Sequence, residues 1–346
     1  MALPTTFREY RLPKYDGYHN LTIVEASLPQ LKANEVLVKV AAVSLQYRDL
    51  LVASGRYPAL CKDNVVPASD MAGEIVAVGA DVHGFKNGDR VCANFALEHV
   101  YGDVNERIRN TGLGAPIDGV LTEYRAFPAY SLVHIPAHLS YVEASTLPCA
   151  ALAAYNALNG PTPLKAGDTV LVHGTGGVSI FALQFAKASG ATVVATSSSD
   201  AKLALAKELG ADHLINYKQT PDWDKEVLRV TEGRGVDHVI EVGGPGTLMR
   251  SLASVRYAGW VHVIGSVAGA GDTSHAPIAA LKKAAIIRGI LIGSRDQFEA
   301  MNRLIVANKV RPVVDKVFSF EEAKEAYAYL ESQKHVGKIV IQVAKE

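Results

Sequence analysis

Cysteine is scarce in this chain: 346 residues hold three, Cys61, Cys92 and Cys149. Three scattered thiols exclude a disulfide framework and a closely spaced structural zinc knuckle, and a reducing compartment, the cytoplasm, is the simpler expectation. Charge excess is missing as well. Thirty-five Lys and Arg balance 35 Asp and Glu with no long run of one sign, so nucleic acid is not the expected partner. Nowhere is there the run of about 18 apolar residues that spans a bilayer, and the opening MALPTTFREYRL lacks the apolar stretch of a secretory signal. Neither membrane insertion nor export is expected. What remains is ample: 49% hydrophobic and 20% charged residues, material for buried cores in about two domains.

The first 130 residues carry short strand-like runs, EVLVKVAAV, GEIVAVG and DRVCAN, broken by turn signals such as VHGFKNGD. Residues 98–118 show no periodicity and read as a long surface loop, the kind often used as a lid or binding loop. Near residue 165 the pattern changes. Strand-like DTVLVHG, TVVATS, HLINY, DHVIEVG, WVHVIGSV and IIRGILIGS alternate with helical runs such as SIFALQFAKASG and DAKLALAKELG. That alternation predicts βαβ crossovers and a parallel, doubly wound sheet, an α/β fold joined to a β-rich unit. The last stretch ends in GKIVIQV, a strand able to pair back with the N-terminal unit.

The turn VHGTGGVS places Gly174, Thr175, Gly176, Gly177 and Val178 between a strand and a helix. One glycine makes the tight turn, another lets backbone approach a pyrophosphate, and the helix start offers free N–H groups. Ser179 stands at the third small position. In this strand–turn–helix context the spacing points to a dinucleotide. An NAD site wants Asp or Glu at the end of the next strand, but the chain has Ser197, Ser198 and Ser199, with Lys202 one helical turn on and Tyr217 closing the third strand. Hydroxyls and a cation suit a 2′-phosphate, so NADPH is expected, although the serines also suit a helix cap. Gly243 with Gly244, and Gly265 with Ser266, end later strands on the side where such sheets bind the rest of the cofactor.

A second stretch, VSLQYRDLL, ends an apolar strand with Gln46, Tyr47, Arg48 and Asp49. Either the strand stops in a solvated turn or these groups face a cleft. Together with PASDMAGEIVAVGADVHGFKNGDRV and LPCAALAAYNAL, this arrangement resembles the medium-chain dehydrogenase/reductase superfamily over essentially the whole chain. The resemblance implies a GroES-like catalytic domain (1–130 and 297–346), a Rossmann domain (131–296) and a homodimer, whose last Rossmann strand would include Leu291, Ile292 and Gly293. Zinc members carry Cys where this chain has Gln46, and His where it has Asp70; only Cys149 matches. Zinc favours Cys and His, and an amide is a weak ligand, so no metal is expected and Cys149 reads as a packed thiol.

The chain is therefore similar to the zinc-free quinone oxidoreductase and double-bond reductase branch. Lys202 and Tyr217 fall where that branch contacts the 2′-phosphate. Two positions depart from it: Gln333, beside Lys334, where Arg is common, and Ala153 where Thr is common. The implied substrate is a small molecule with a conjugated carbonyl or a quinone. Tyr57, in GRYP, matches the tyrosine that related mitochondrial enoyl reductases use near the thioester carbonyl, and Tyr47 is a second candidate donor. Arg48 and Asp49 are expected to be structural. A zinc-type alcohol dehydrogenase and a non-catalytic NADPH-binding protein remain the alternatives.

Overall fold

The computed structural model describes residues 3–344. Its strands run β1 (Thr6–Arg11), β2 (Thr22–Ser27), β3 (Glu35–Ser44), β4 (Asp70–Val78), β5 (Arg90–Ala93), β6 (Tyr124–Pro128) and β7 (Leu132–His134). They continue with β8 (Thr169–His173), β9 (Thr192–Ser197), β10 (His213–Asn216), β11 (Val236–Glu241), β12 (Val255–Val263), β13 (Ile286–Gly289), β14 (Val314–Ser319) and β15 (Lys338–Gln342). The chain divides into two compact units, 1–152 with 293–346, and 153–292.

In the first unit β14, β15, β3, β4, β5 and β7 pair in that order, and β6 also pairs with β3. Strand β3 sits at the middle and is almost wholly buried, which is why EVLVKVAAV reads as a continuous apolar run. The C-terminal β15 pairs antiparallel with its end, Val340 opposite Ser44. That return, expected from GKIVIQV, brings Lys338 beside the polar block that follows β3.

The second unit holds a six-stranded parallel sheet in the order β10-β9-β8-β11-β12-β13. This is the doubly wound arrangement, with its switch point between β8 and β11. Strand β8 is buried along four of its five residues, as a strand covered on both faces must be. The helix Gly177–Ala188 follows. Ser189 and then Gly190, at φ +80°, end it, the left-handed cap glycine provides at no steric cost.

Four expectations change. The units part at 152/153 and 292/293 rather than 130/131 and 296/297, because β7 pairs with β5 and ties the following residues to the first sheet. Residues 98–118 are not simply a surface loop: Leu113 and Ala115 are buried, held by Leu113 N–H to Phe95 and by Lys62 N–H to Ala115. The last strand of the second sheet is Ile286–Gly289, so Leu291, Ile292 and Gly293 lie after it. Ile292, at φ +56°, cannot continue an extended chain. Finally, Ala276–Lys283 is a helix that the sequence pattern did not reveal.

At the start of β11, Asp237 accepts from both terminal nitrogens of Arg234 at 2.8 Å, from Arg256 Nε and from the Thr169 N–H. Burial opposes its ionisation, but these donors outweigh burial and hold its pKa down to about 2. A depressed carboxylate contributes stability above its unfolded pKa of about 4 and loses it as pH falls toward the folded value. Wild type should therefore lose thermal stability between about pH 4 and 2 more steeply than Asp237→Asn. Parallel curves for the two proteins would show that this cluster does not govern acid unfolding.

Candidate active site

Two groups of residues, one in each unit, meet the chemical requirements set out above. In the first unit β3 ends at Ser44, and the short helix Tyr47–Ala53 begins three residues later. Asp49 accepts from the Gln46 N–H at 2.8 Å and so closes the helix start, a satisfied N-terminal donor. The Gln46 side chain is thereby turned inward, where Nε2 donates to Asp70 Oδ2 at 2.6 Å. Asp70 begins β4, and its other oxygen accepts from Ser69 Oγ at 2.6 Å. The Cys149 N–H, in a turn of π-helix over Leu147–Ala151, donates to Asp70 Oδ2 at 3.1 Å. The three positions that match zinc ligands in the resemblance thus come together as a hydrogen-bonded set.

A fourth member is Lys338, 4% exposed, whose ammonium donates to the Leu45 carbonyl. Burial lowers its pKa, against the pull of Asp70, Cys149 and Asp49. Burial also raises Asp70 to about 6, with Lys338 opposing, and raises the Cys149 thiol well above its usual value, with the Asp70 carboxyl adding to the effect. Asp49 is pushed up by burial against the attraction of Arg48. Among the described residues no group of three or more His, Cys, Asp or Glu side chains is placed to hold a metal ion. An amide, a carboxyl and a protonated thiol beside a buried ammonium form a donor set ill matched to zinc.

Tyr57 lies on the segment after this helix, its N–H bonded to the Leu51 carbonyl, and its ring covers the Arg48 guanidinium at 4.9 Å. Tyr47 is half-buried at the helix start. Arg48, expected to pair with a carboxylate, reaches Asp49 Oδ1 only end-on, at 3.5 Å.

In the second unit the glycine turn is open. A methyl group added at Gly174 (φ +69°) or Gly176 would meet nothing within 4 Å, leaving room for a ligand against the backbone. Gly176 caps the helix without a side-chain acceptor, so its first N–H groups stay available to an anion. Thr175 is buried and Val178 half-buried. Ser179 Oγ donates to the His173 carbonyl at 2.6 Å, which draws the helix onto β8 as the third small position requires.

At the end of β9, Ser197 is buried, and Ser199 caps the next helix by accepting from the Lys202 N–H. Ser198 is half-buried. The nearest acid, Asp200, is taken by Asn216 Nδ2 at 2.7 Å and Gln219 Nε2 at 2.8 Å. Tyr217 is bonded through its N–H to the Ser197 carbonyl, with its ring 41% exposed. Gly243–Gly244 and Gly265–Ser266 also come together, for a methyl at Gly244 would strike Ser266. Gly293 belongs to the other unit and packs so closely on Leu152 and Gln297 that no Cβ fits.

Sequence reasoning passed over Glu241. It is fully buried at the end of β11 and accepts from the Gly243 and Gly244 N–H groups at 2.7 and 2.9 Å, from Thr247 Oγ1 at 2.6 Å and from Ser251 Oγ. Four donors on one carboxylate hold the glycine turn in place. Ser251 also bonds His173 Nε2 at 2.9 Å. An acid two residues before a glycine pair was the available signal.

The chain matches two family models, the alcohol dehydrogenase GroES-like domain over residues 32–137 and the zinc-binding dehydrogenase over residues 177–307. It belongs to the medium-chain dehydrogenase/reductase superfamily. Within the superfamily it is 48% identical to a zinc-type alcohol dehydrogenase-like protein of Schizosaccharomyces pombe, covering 94% of this chain and 96% of that one. It is 33% identical to acryloyl-coenzyme A reductase of Metallosphaera sedula, over 92% and 95% of the two chains. A crystal structure of an NAD-dependent alcohol dehydrogenase matches with a TM-score of 0.88 at 30% identity, over 97% of this chain and 100% of that one. The superfamily makes this protein an oxidoreductase with a nicotinamide dinucleotide and a small-molecule substrate.

Proposed function

We propose that this protein is an NADPH-dependent, zinc-independent reductase of carbon–carbon double bonds conjugated to a carbonyl: enones, enals, quinones or enoyl thioesters. The observation that carries the reading is the Gln46–Asp70 hydrogen bond of 2.6 Å at the position of the zinc ligands, with the Lys338 ammonium buried nearby. Such a cluster gives no strong Lewis acid for a simple ketone. A conjugated double bond needs less help, because charge moves from the β-carbon onto the carbonyl oxygen.

When bound, the reduced nicotinamide supplies the hydride. Gly174, Thr175, Gly176, Gly177 and Val178 hold the pyrophosphate, while Gly243, Gly244, Gly265 and Ser266, with Leu291 and Ile292, line the nicotinamide end. Tyr57 donates a hydrogen bond or proton to the developing enolate oxygen, Tyr47 is the second phenol at hand, and Gln46 fixes the floor through Asp70. Net addition is one hydride and one proton. Reduction of acryloyl-coenzyme A by a relative at 33% identity supports the substrate class.

A panel of enones, quinones and enoyl thioesters, with NADPH oxidation followed by absorbance, tests the reading. Stoichiometric zinc in the purified protein, with activity lost on its removal, would overturn it in favour of an alcohol dehydrogenase. Tight NADPH binding without turnover of any member would favour a binding protein.

Ser197, Ser198, Lys202 and Tyr217 read the 2′-phosphate, and Asp200, already bonded to two amides, does not claim the ribose. Lys202→Ala should raise the KM for NADPH about ten- to hundredfold, the worth of a charge-assisted contact, with little change for NADH. Equal effects on both cofactors would remove Lys202 from that role. Strand β13 is an edge of its sheet, with Ile287 40% exposed. Covering such an edge supports a homodimer, checked by sedimentation. Three free cysteines support a cytoplasmic setting.

A further inference from the structure

Arg48 is held in an unusual way. Its guanidinium carbon lies 4.9 Å from the ring centroids of both Tyr57 and Phe95. The side chain is 11% exposed. One terminal nitrogen, Nη1, reaches Asp49 Oδ1 at 3.5 Å, the outer limit of a hydrogen bond. The other edge, Nε and Nη2, is shielded from solvent and has no hydrogen-bond partner among the described residues.

These two nitrogens form the side-on fork of arginine, the edge that takes a carboxylate through two parallel bonds. A buried donor left unpaired is costly, and two on one cation more so; native structures rarely keep such a group unless an ordered water, an ion or a ligand satisfies it. Two ring contacts at 4.9 Å hold the guanidinium in place. A carboxylate pairs with it in its plane, at the free edge. The Tyr57–Pro58 segment is held by the Tyr57 N–H to the Leu51 carbonyl at 3.1 Å and by Arg109 Nη2 to the Pro58 carbonyl at 2.9 Å.

We infer that Arg48 is a specificity residue that binds a carboxylate carried by the substrate, so that the preferred substrates are conjugated carbonyl compounds bearing a free acid. This rests on the reductase reading, and Tyr57 links the two: the ring 4.9 Å from the Arg48 guanidinium carbon carries the phenol assigned to the enolate oxygen. Charge favours the occupant. Arg48 and Lys338 are the cations of this cluster, Asp49 and Asp70 its carboxyls, so a further anion meets no net negative charge, and Asp49 approaches only the opposite edge of the guanidinium.

The test compares an unsaturated keto acid with its methyl ester on the wild-type protein with NADPH. The acid should be preferred in kcat/KM by about ten- to hundredfold, the worth of a bidentate charged pair. In Arg48→Met that ratio should collapse to about one, and in Arg48→Lys, which keeps the charge and loses the fork, it should fall between. Calorimetric titration with the saturated keto acid and its ester gives a readout independent of turnover. Tighter acid binding without reduction of any unsaturated compound would sink the reductase reading and keep the carboxylate site. Reduction of ester and acid at equal efficiency would do the reverse. An Arg48→Met protein that melts earlier with its acid-to-ester ratio unchanged would show that the stacked arginine only holds the fold, and would overturn the inference.

Discussion

Tyr57→Phe should lower kcat by about a hundredfold or more, the range removed with a positioned general acid, while leaving the Kd for NADPH within about twofold. The substitution is narrow by construction. Phenylalanine keeps the ring face over Arg48, 4.9 Å from its guanidinium carbon, and keeps the backbone bond from residue 57 to the Leu51 carbonyl. Only the hydroxyl goes. A fall in kcat with KM for the double-bond substrate nearly constant is the signature of an interaction made in the transition state alone. Full turnover in the variant would take Tyr57 out of the mechanism and leave Tyr47 as the phenol to test.

Lys338→Met is expected to cost about 3–5 kcal/mol in unfolding free energy, the usual consequence of removing one partner from a buried charge cluster. The ammonium donates to the Leu45 carbonyl and faces Asp70 and Asp49, both fully enclosed. Without it the two carboxyls have no counter-charge other than Arg48, which approaches Asp49 only at 3.5 Å. Removing a carboxyl as well should reverse part of the loss: Lys338→Met with Asp70→Asn should be more stable than Lys338→Met alone. Denaturant titration measures both. If the single variant unfolds within about half a kcal/mol of wild type, within the range of ordinary surface substitutions, the cluster is not held by charge.

Local regularity was legible in the sequence, and long-range placement was not. The strand–turn–helix at 169–188 is visible because apolar runs, glycine spacing and the Gly190 stop all act over neighbouring residues. The Gln46–Asp70 contact could be inferred only through a resemblance, since the partners lie 24 residues apart, one at a helix start and the other opening a strand. Lys338 gave no signal: a lysine opening a C-terminal strand looks solvated until β15 is seen to pair with β3. Arg48 reads as one half of an ordinary ion pair, and its contact with Phe95, 47 residues on, is invisible to local pattern. The helix Ala276–Lys283 was missed because its Pro277 and short amphipathic run resemble a loop. The segment Leu291 to Gly293 was read as strand because it is apolar, whereas the positive φ of Ile292 is a constraint that apolarity does not report.

The first unit is built from two separate stretches of the chain, with residues 153–292 forming a second unit in between. Synthesis on the ribosome runs from the N-terminus, and domains fold as units as they emerge. The parallel sheet can therefore close while β14 and β15 are still unmade. Until then the slot beside β3 stays empty, and Asp49 and Asp70 wait without Lys338. Strand β15 is thus made after the parallel sheet, so a nascent chain can complete its second unit before Asp49 and Asp70 gain their buried counter-charge.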